Sequence, residues 1–524
     1  MKNHHATDQT AESALFSAVF DGDENAAVRL LRAGAHPDAI DEDGETLLYL
    51  AAMNNRPGIV RLLLAAGADP ALLSSGADLP LCGAACAGHH EVVRALLAAG
   101  AEPDQMEEGG FTALAWAVQL GHADTAEALL AAGADPARPC PDGLAPLVAA
   151  VRRGSFGTVR ALLFHGARPT QDALAEARRW LATDVEARLR RELTQEADPA
   201  DVFVRRIPEY AGITVSVEVL RPEGGGYGRE QQTGHGAIAT VLEHELGVRA
   251  PFGELLDRAV QFADPENENW REAASELASR GDEVTYQAAA ALTRDADALR
   301  CAFAVDVLGR LAHAAPAFAG RVLPLLVSAA ERALGDGEGA ASTVLARTLV
   351  RALSEPGDGA AAPVVLRFAT HADAGVRSAT AASLHSLGPG EDPEEPEEPR
   401  DHKEPRERGD FEATAQTLAR LTGDTDAVVR NRATIALAWC GDDSIEVRES
   451  LAARLGDHDK ATVAEAARGL ARRGDPRAVD ALVRLLTHEE PGSAAYDTAT
   501  EAVDEVRDER ARRLLHGTLP RTGT

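Results

Sequence analysis

Apolar residues recur through the first third of the chain at three- and four-residue spacing, in short runs broken by glycine, asparagine and proline. That period marks helices with one buried face, and the frequent breaks keep each helix short. The same positions return at a fixed interval. LLxxGAxP begins at Leu30, Leu63, Leu96, Leu129 and Leu162, every step being of equal length. A second apolar box opens at Ser13, Thr46, Leu79, Thr112 and Ala145, and a turn position holds Gly22, Asn55, Gly88, Gly121 and Gly154. Three signals in one phase predict five units of a single design.

Each unit is expected to run helix, tight turn, helix, extended loop. Glycine or asparagine at the turn takes the left-handed conformation that stops the first helix. The paired leucines give the second helix its inner face, and Gly34, Gly67, Gly100, Gly133 and Gly166 end it. Asp43-Gly44 and Asp142-Gly143 mark hairpin turns between units. One unit cannot bury its apolar face, whereas a stack of five can. The pattern resembles the ankyrin repeat family over about residues 12–169. At the histidine position of the family's TPLH box stand Phe16, Tyr49, Cys82, Ala115 and Val148, so the usual threonine–histidine hydrogen bond is expected to be missing.

Thr170–Leu193 predicts two arginine-rich helices, read as a terminal cap over 170–195. The pattern then changes. Ile213–Val219 alternates apolar and polar residues as a strand does, the glycine-rich stretch Glu223–Gly228 turns the chain, and Arg229–Thr233 supplies a second strand. Thr233–Leu246 copies the start of an ankyrin second helix, so 196–250 is expected to be a junction holding a hairpin and an isolated repeat-like helix.

From residue 251 a different helical sentence appears. His371–Gly388 recurs as Asp424–Gly441 and again as Asp457–Gly474. Asp373, Asp426 and Asp459 fall where an acid suits the start of a helix. The DxxVRxxAxxAL sentence resembles HEAT-like repeats of the bilin-lyase type, over roughly 266–388 and 411–487. Between the copies, Pro389–Asp410 carries ten acids, four bases and five prolines, a composition expected to stay disordered or extended. Residues 1–11 and 519–524 are expected to be disordered tails. The fold expected is therefore all-α: a tandem helical-repeat solenoid, an ankyrin array at 12–169 followed by HEAT-like arrays at 251–388 and 411–518, with a short β-hairpin at the junction.

Composition narrows the function. Hydrophobic residues make up 45% and charged residues 26% of the 524, as in a folded chain, while aromatics at 4% leave alanine and leucine to build the interior. The net charge of −30 repels phosphate backbones and anionic lipid surfaces, so neither nucleic acid nor membrane is the expected partner. The charge is uneven: residues 1–150 sum to −14, but 151–193 sum to +4. Only Lys2, Lys403 and Lys460 are lysine, which fits a GC-rich genome and says nothing of function. Five scattered cysteines suit a reducing compartment, and no apolar run approaches a membrane span, so a cytoplasmic protein is expected.

Candidate chemistry is sparse. His244-Glu245 opens like a zinc-protease helix, but Val248 stands where the second histidine is needed. Cys82, Cys86, His89 and His90 could gather at one end of a helix pair, yet both cysteines occupy small-residue packing positions and Gly88-His89 is an inter-helix turn. Gly224-Gly225-Gly226 lacks the ending of a phosphate loop, and the RGD triplets at Arg280, Arg408 and Arg473 read as punctuation at helix ends. No enzyme activity, metal or cofactor is expected.

What the ankyrin resemblance implies is recognition of protein through hairpin tips and the exposed end of the first helix, on the concave side. Carried over by phase, the partner-binding positions are Glu42, Asp43, Glu45, Met53 and Asn54 in the second unit and Ser75, Asp78 and Cys86 in the third. The fourth supplies Glu108, Phe111, Gln119 and Leu120; the fifth supplies Leu144, Arg152 and Arg153. Met53, Phe111, Leu120 and Leu144 would form an apolar strip ringed by acids, suited to a basic or amphipathic partner. Two rival readings remain. A HEAT-type ligand carrier or lyase would need a deep polar pocket and would purify coloured if it held a tetrapyrrole. A nucleic-acid-binding HEAT protein would need a basic stripe, against a sum of −18 after residue 200.

Overall fold

The computed structural model describes residues 2–193, 202–209, 211–220, 225–335, 339–355, 359–387 and 405–518. The insertion at 389–404 and the tail at 519–524 lie outside the described residues. Two compact units form, one from residues 1–258 with 266–273 and the other from 259–265 with 274–524.

In the first unit, five helical hairpins follow one another: α1 (Lys2–Asp21) with α2 (Glu24–Arg32), α3 (Leu47–Met53) with α4 (Pro57–Ala65), and α5 (Pro80–Cys86) with α6 (His90–Ala98). Then come α7 (Ala113–Leu120) with α8 (Ala123–Ala131), and α9 (Pro146–Arg153) with α10 (Phe156–Phe164). The first helix starts at Lys2, ahead of the tail boundary expected at residue 12; neither proline nor glycine interrupts that stretch. First helices stack on first helices and second on second. The second helices present their leucines inward, so Leu63, Leu96, Leu129 and Leu162 are fully buried. The turn residue takes a left-handed φ in every hairpin, including Asn55 at 52°.

The chain after α10 departs from the sequence-based expectation. Helix α11 (Gln171–Leu181) packs beside α9 as the first helix of a sixth hairpin, but its partner is not α12 (Val185–Leu193). The partner is α13 (His235–Glu245), which lies against α11 and α10 and buries Ala237, Ile238, Ala239 and Leu242 in the ankyrin core. Between α11 and α13 a small module is inserted. It holds α12 and three antiparallel strands in the order β1 (Val202–Glu209), β2 (Gly212–Leu220) and β3 (Gly226–Gln232). The hairpin expected from sequence is thus a three-stranded sheet. The extra strand β1 escapes a period-two reading because Arg205-Arg206 and Pro208 interrupt its apolar positions.

The module has its own core. Val215, Val217 and Val219 point from β2 to Val185, Leu189 and Leu193 of α12, and Trp180 closes the end nearest α11. Trp180 also stacks on His235 at 5.2 Å between ring centroids, and the Arg188 guanidinium lies 4.3 Å from its ring. A buried ion cluster binds α11 to α13 and to the next helix, α14 (Phe252–Val260). Glu243 accepts from Arg178 at 2.9 Å and from Arg258 at 2.7 Å. Burial pushes the Glu243 carboxyl up, but the donated hydrogen bonds and charges of Arg258 and Arg178 outweigh it and hold the group below the usual carboxylate range.

The remaining helices run α15 (Glu268–Ser279), α16 (Glu283–Leu292), α17 (Ala298–Ala314), α18 (Ala319–Ala333), α19 (Ala340–Ser354), α20 (Ala362–Val365) and α21 (Ala374–Leu387). They continue as α22 (Pro405–Leu421), α23 (Ala427–Trp439), α24 (Ile445–Arg454), α25 (Lys460–Arg472), α26 (Arg477–His488), α27 (Ala494–Glu505) and α28 (Glu509–His516). Helix α22 begins inside the stretch expected to be disordered or extended; Pro405 sits at its first position, where a missing N–H does no harm. In the second unit α17, α19, α21, α23, α25 and α27 form one continuous layer, each backed by a helix of the other layer. Asp373, Asp426 and Asp459 accept from backbone amides in the first turns of α21, α23 and α25. An arginine ladder ties successive repeats: Arg377 pairs with Asp424 at 2.8 Å and Arg430 with Asp457 at 3.0 Å. No single helix among the described residues is long and apolar enough to cross a membrane.

Candidate functional site

The hairpin tips lie at 41–45, 74–78, 107–111 and 140–144, in the phase of the repeat. Each is closed by a bond from its first amide to its last carbonyl, as in Asp41 to Glu45 at 3.0 Å and Glu107 to Phe111 at 2.9 Å. The fourth tip residue is left-handed: Gly44, Ala77, Gly110 and Gly143. Neighbouring tips are joined, because the Ser75 amide donates to the Gly44 carbonyl at 2.8 Å and its hydroxyl to the Asp43 carbonyl at 2.9 Å. Ser75 is therefore a strut between tips, with its hydroxyl already engaged.

Carboxylates dominate this edge. Glu42, Asp43 and Glu108 are exposed, while Glu45 and Asp78 are half-buried. Among the described residues none of the five has a basic partner within ion-pair distance, whereas acids elsewhere in the same unit, such as Glu176, Glu186, Glu192 and Glu230, are matched by arginines. Their crowding is felt locally. Burial, then the charges of Asp78, Asp41 and Asp43, push Glu45 above the ordinary carboxylate range. Burial, then Asp78, Glu45 and Glu107, push the Tyr49 phenol up to about 12.

The apolar strip expected beside these acids is only partly present. Met53 is exposed at 38%. Phe111, expected as an exposed anchor, instead stacks on Trp116 with centroids 4.1 Å apart and packs against the core. The Trp116 indole donates to Glu107 at 2.9 Å, and the other Glu107 oxygen accepts the Leu79 amide at 3.1 Å, so this group braces the third unit against the fourth. Leu144 also packs against the core, and Leu120 and Gln119 are half-buried. Met106, just ahead of the tip at 107–111, is exposed at 54%. Ile40 and Leu73 hold the same position ahead of the two preceding tips and are exposed too, so exposed apolar contact on this edge comes from Ile40, Leu73 and Met106 together with Met53.

At the first-helix ends the side chains are largely committed. The Asn54 amide donates to the Leu50 carbonyl at 2.8 Å. The Cys86 carbonyl accepts from His122, and its half-buried thiol is pushed up by burial and then by Glu107. Arg152 pairs with Glu176 at 3.0 Å. Arg153 is drawn to the carboxylate and carbonyl of Glu230 on β3, which removes it from the free surface. The fifth unit's arginines therefore anchor the sixth hairpin and its inserted module.

The histidines near the cysteines have structural partners. His89 Nε2 bonds the Met53 carbonyl at 3.2 Å and His122 Nε2 the Cys86 carbonyl at 3.0 Å, while Arg56 donates to the Phe20 carbonyl at 3.0 Å. Those carbonyls hold the same position in successive units, and the post-turn residues of the second to fourth units reach back to the first helix of the unit before, while Ser155 of the fifth donates to the Gly121 carbonyl at 3.2 Å. His235 continues the series beside the backbone of Val151 and Arg152. The signal was in the sequence as the residue after each turn glycine. Cys82 is buried, and burial followed by the Glu107 charge pushes its thiol up, leaving it protonated and inert.

Stacked hairpins with phased tips in one unit, and layered helix pairs with an aspartate–arginine ladder in the other, define a helical-repeat protein of two kinds. Family models agree: ankyrin repeats match residues 1–73 and 80–173 in three copies, and HEAT repeats match 412–517. The chain carries an ankyrin array followed by a HEAT-like array. No curated protein matches it. Repeats of both kinds generally mediate protein–protein interaction and are typically non-catalytic.

Proposed function

We propose that this protein is a noncatalytic scaffold that holds a basic or amphipathic protein partner along the hairpin tips of the second to fourth ankyrin units. The observation that carries this reading is the row of carboxylates at Glu42, Asp43, Glu45, Asp78 and Glu108 that have no basic partner among the described residues, set beside exposed Ile40, Met53, Leu73 and Met106. Unmatched surface charge steers an oppositely charged partner, and a thioether adapts to varied apolar surfaces. The HEAT-like array supplies a second contact or fixes the spacing of what is held, and the setting is the cytoplasm.

Capture from native lysate with the full chain, compared with a Glu42→Lys, Asp43→Lys, Glu108→Lys variant, tests it. These side chains are exposed, so the fold is expected to survive. Loss of the captured protein by at least about tenfold, and weakening of wild-type capture as salt rises from ~50 to ~300 mM, are the expected results. An identical capture profile for the two proteins would count against the site.

A further inference from the structure

The sheet inserted in the sixth ankyrin hairpin has one committed edge and one edge that is unpaired among the described residues. On the β3 side, Arg153 reaches the Glu230 carbonyl and Gln231 donates to the Arg152 carbonyl at 2.9 Å, tying that strand to the ankyrin body. On the other side β1 pairs only with β2 among the described residues, in the register Phe203 to Glu218, Arg205 to Ser216 and Ile207 to Thr214. Its outer backbone is a template for one more strand.

Three features say what could pair there. Pro208 is tolerated inside a strand where its missing N–H faces away from the neighbour. By the two-residue period, the amides of Val202, Val204 and Arg206 turn to the free side with it. Phe203 and Ile207, 52% and 48% exposed, stand on the outer face four residues apart, whereas Val202 and Val204 pack against the module core. Arg205 stands between the two apolar side chains on that face and Arg206 on the opposite face beside α12, with side chains 67% and 59% exposed, in a chain that carries −30 overall. Their contacts to Glu218 and Glu186 are exposed ion pairs of small net worth, which a carboxylate from outside can replace.

The same arginines argue against a second copy of this chain. A symmetric antiparallel pairing that brings Phe203 against Ile207 places Arg205 opposite its own copy, and like charges directly across a sheet repel. We propose that β1 is a docking edge for an extended acidic peptide of a partner protein, which adds antiparallel as a fourth strand, sets two apolar residues against Phe203 and Ile207, and places carboxylates opposite Arg205 and Arg206. This site is separate from the acidic ankyrin tips and takes a partner of opposite charge.

Fluorescence anisotropy with the full chain tests the proposal. The probe is a labelled heptapeptide, Thr-Ile-Glu-Glu-Thr-Val-Thr, whose isoleucine and valine stand four residues apart on one face and whose glutamates fall opposite Arg206 and Arg205 in antiparallel pairing. Two further probes carry N-methyl groups on one or the other alternate set of amides, and a fourth replaces both glutamates by lysine. Saturable binding is expected for the first probe, a loss of at least about tenfold for one methylated set but not the other, and no binding of the lysine probe. Phe203→Thr with Ile207→Thr, which keeps strand-forming residues on an exposed face, is expected to weaken the first probe with an unchanged circular dichroism spectrum. Equal binding of the two methylated probes, tighter binding of the lysine probe, or no saturation overturns the proposal. So does a sedimentation result in which the chain dimerises and the glutamate probe disperses the dimer, since a second copy then holds the edge.

Discussion

Ala77 holds a left-handed backbone, φ 60°, at a tip position where three of the four tips have glycine. A Cβ there costs about 1–2 kcal/mol, partly offset by the lower chain entropy of alanine in the unfolded state. Ala77→Gly is expected to stabilise the first unit by about 0.5–1 kcal/mol, seen as a higher melting temperature of its transition. Arg473 presents the opposite case. The sequence offered it only as punctuation between helices. Its buried guanidinium donates to the Leu437, Ala438 and Asp442 carbonyls at 2.9 to 3.1 Å and to the Cys440 carbonyl, closing the C-terminal end of α23. Burial lowers its pKa, and the carbonyls left by the helix end keep it charged. Arg473→Met keeps the bulk and loses those bonds, so the second unit is expected to lose about 3 kcal/mol, measured as a lower thermal transition. An unchanged transition would mean that water replaces the guanidinium freely.

The sixth ankyrin hairpin joins α11 to α13 around an inserted module, and Trp180 with His235 is where the two meet. Burial lowers the His235 pKa to about 4, against modest opposing help from the Val151 and Arg152 backbone. A histidine kept neutral in the fold contributes stability that is present above its unfolded pKa of about 6.5 and is lost as pH falls toward the folded value. The first unit is therefore expected to lose stability between about pH 6.5 and 4. His235→Phe, which keeps a ring against Trp180, is expected to flatten that slope, and equal slopes in the two proteins would contradict it. This pairing was half legible in the sequence. The likeness of Thr233–Leu246 to an ankyrin second helix was readable because it carries the Gly-His turn and the apolar spacing. Its partner was not, because α11 lacks the hairpin tip that phases the other units and starts shortly after Pro169. Periodicity reports each helix's buried face but is silent on which distant helix covers it. For the same reason Phe111 read as a surface anchor: the phase places it at a tip, while only coordinates reveal Trp116 beneath it.

At the scale of the whole molecule, the proposed function rests on an ankyrin edge whose carboxylates have no basic partner among the described residues and would be met by another protein. The fold carrying that edge was legible nearly throughout, since one constant repeat period sets the stacking and the tip positions together. Which tip residues stay free was legible only in part. Glu42, Asp43 and Glu108 remain exposed, but Ser75 and Arg153 are bound within the chain. Hydrogen exchange on the captured complex tests the claim most directly. The account predicts protection of amides in 41–45, 74–78 and 107–111 relative to the free chain. Unchanged exchange in all three tips, with protection confined to other surfaces, would contradict it.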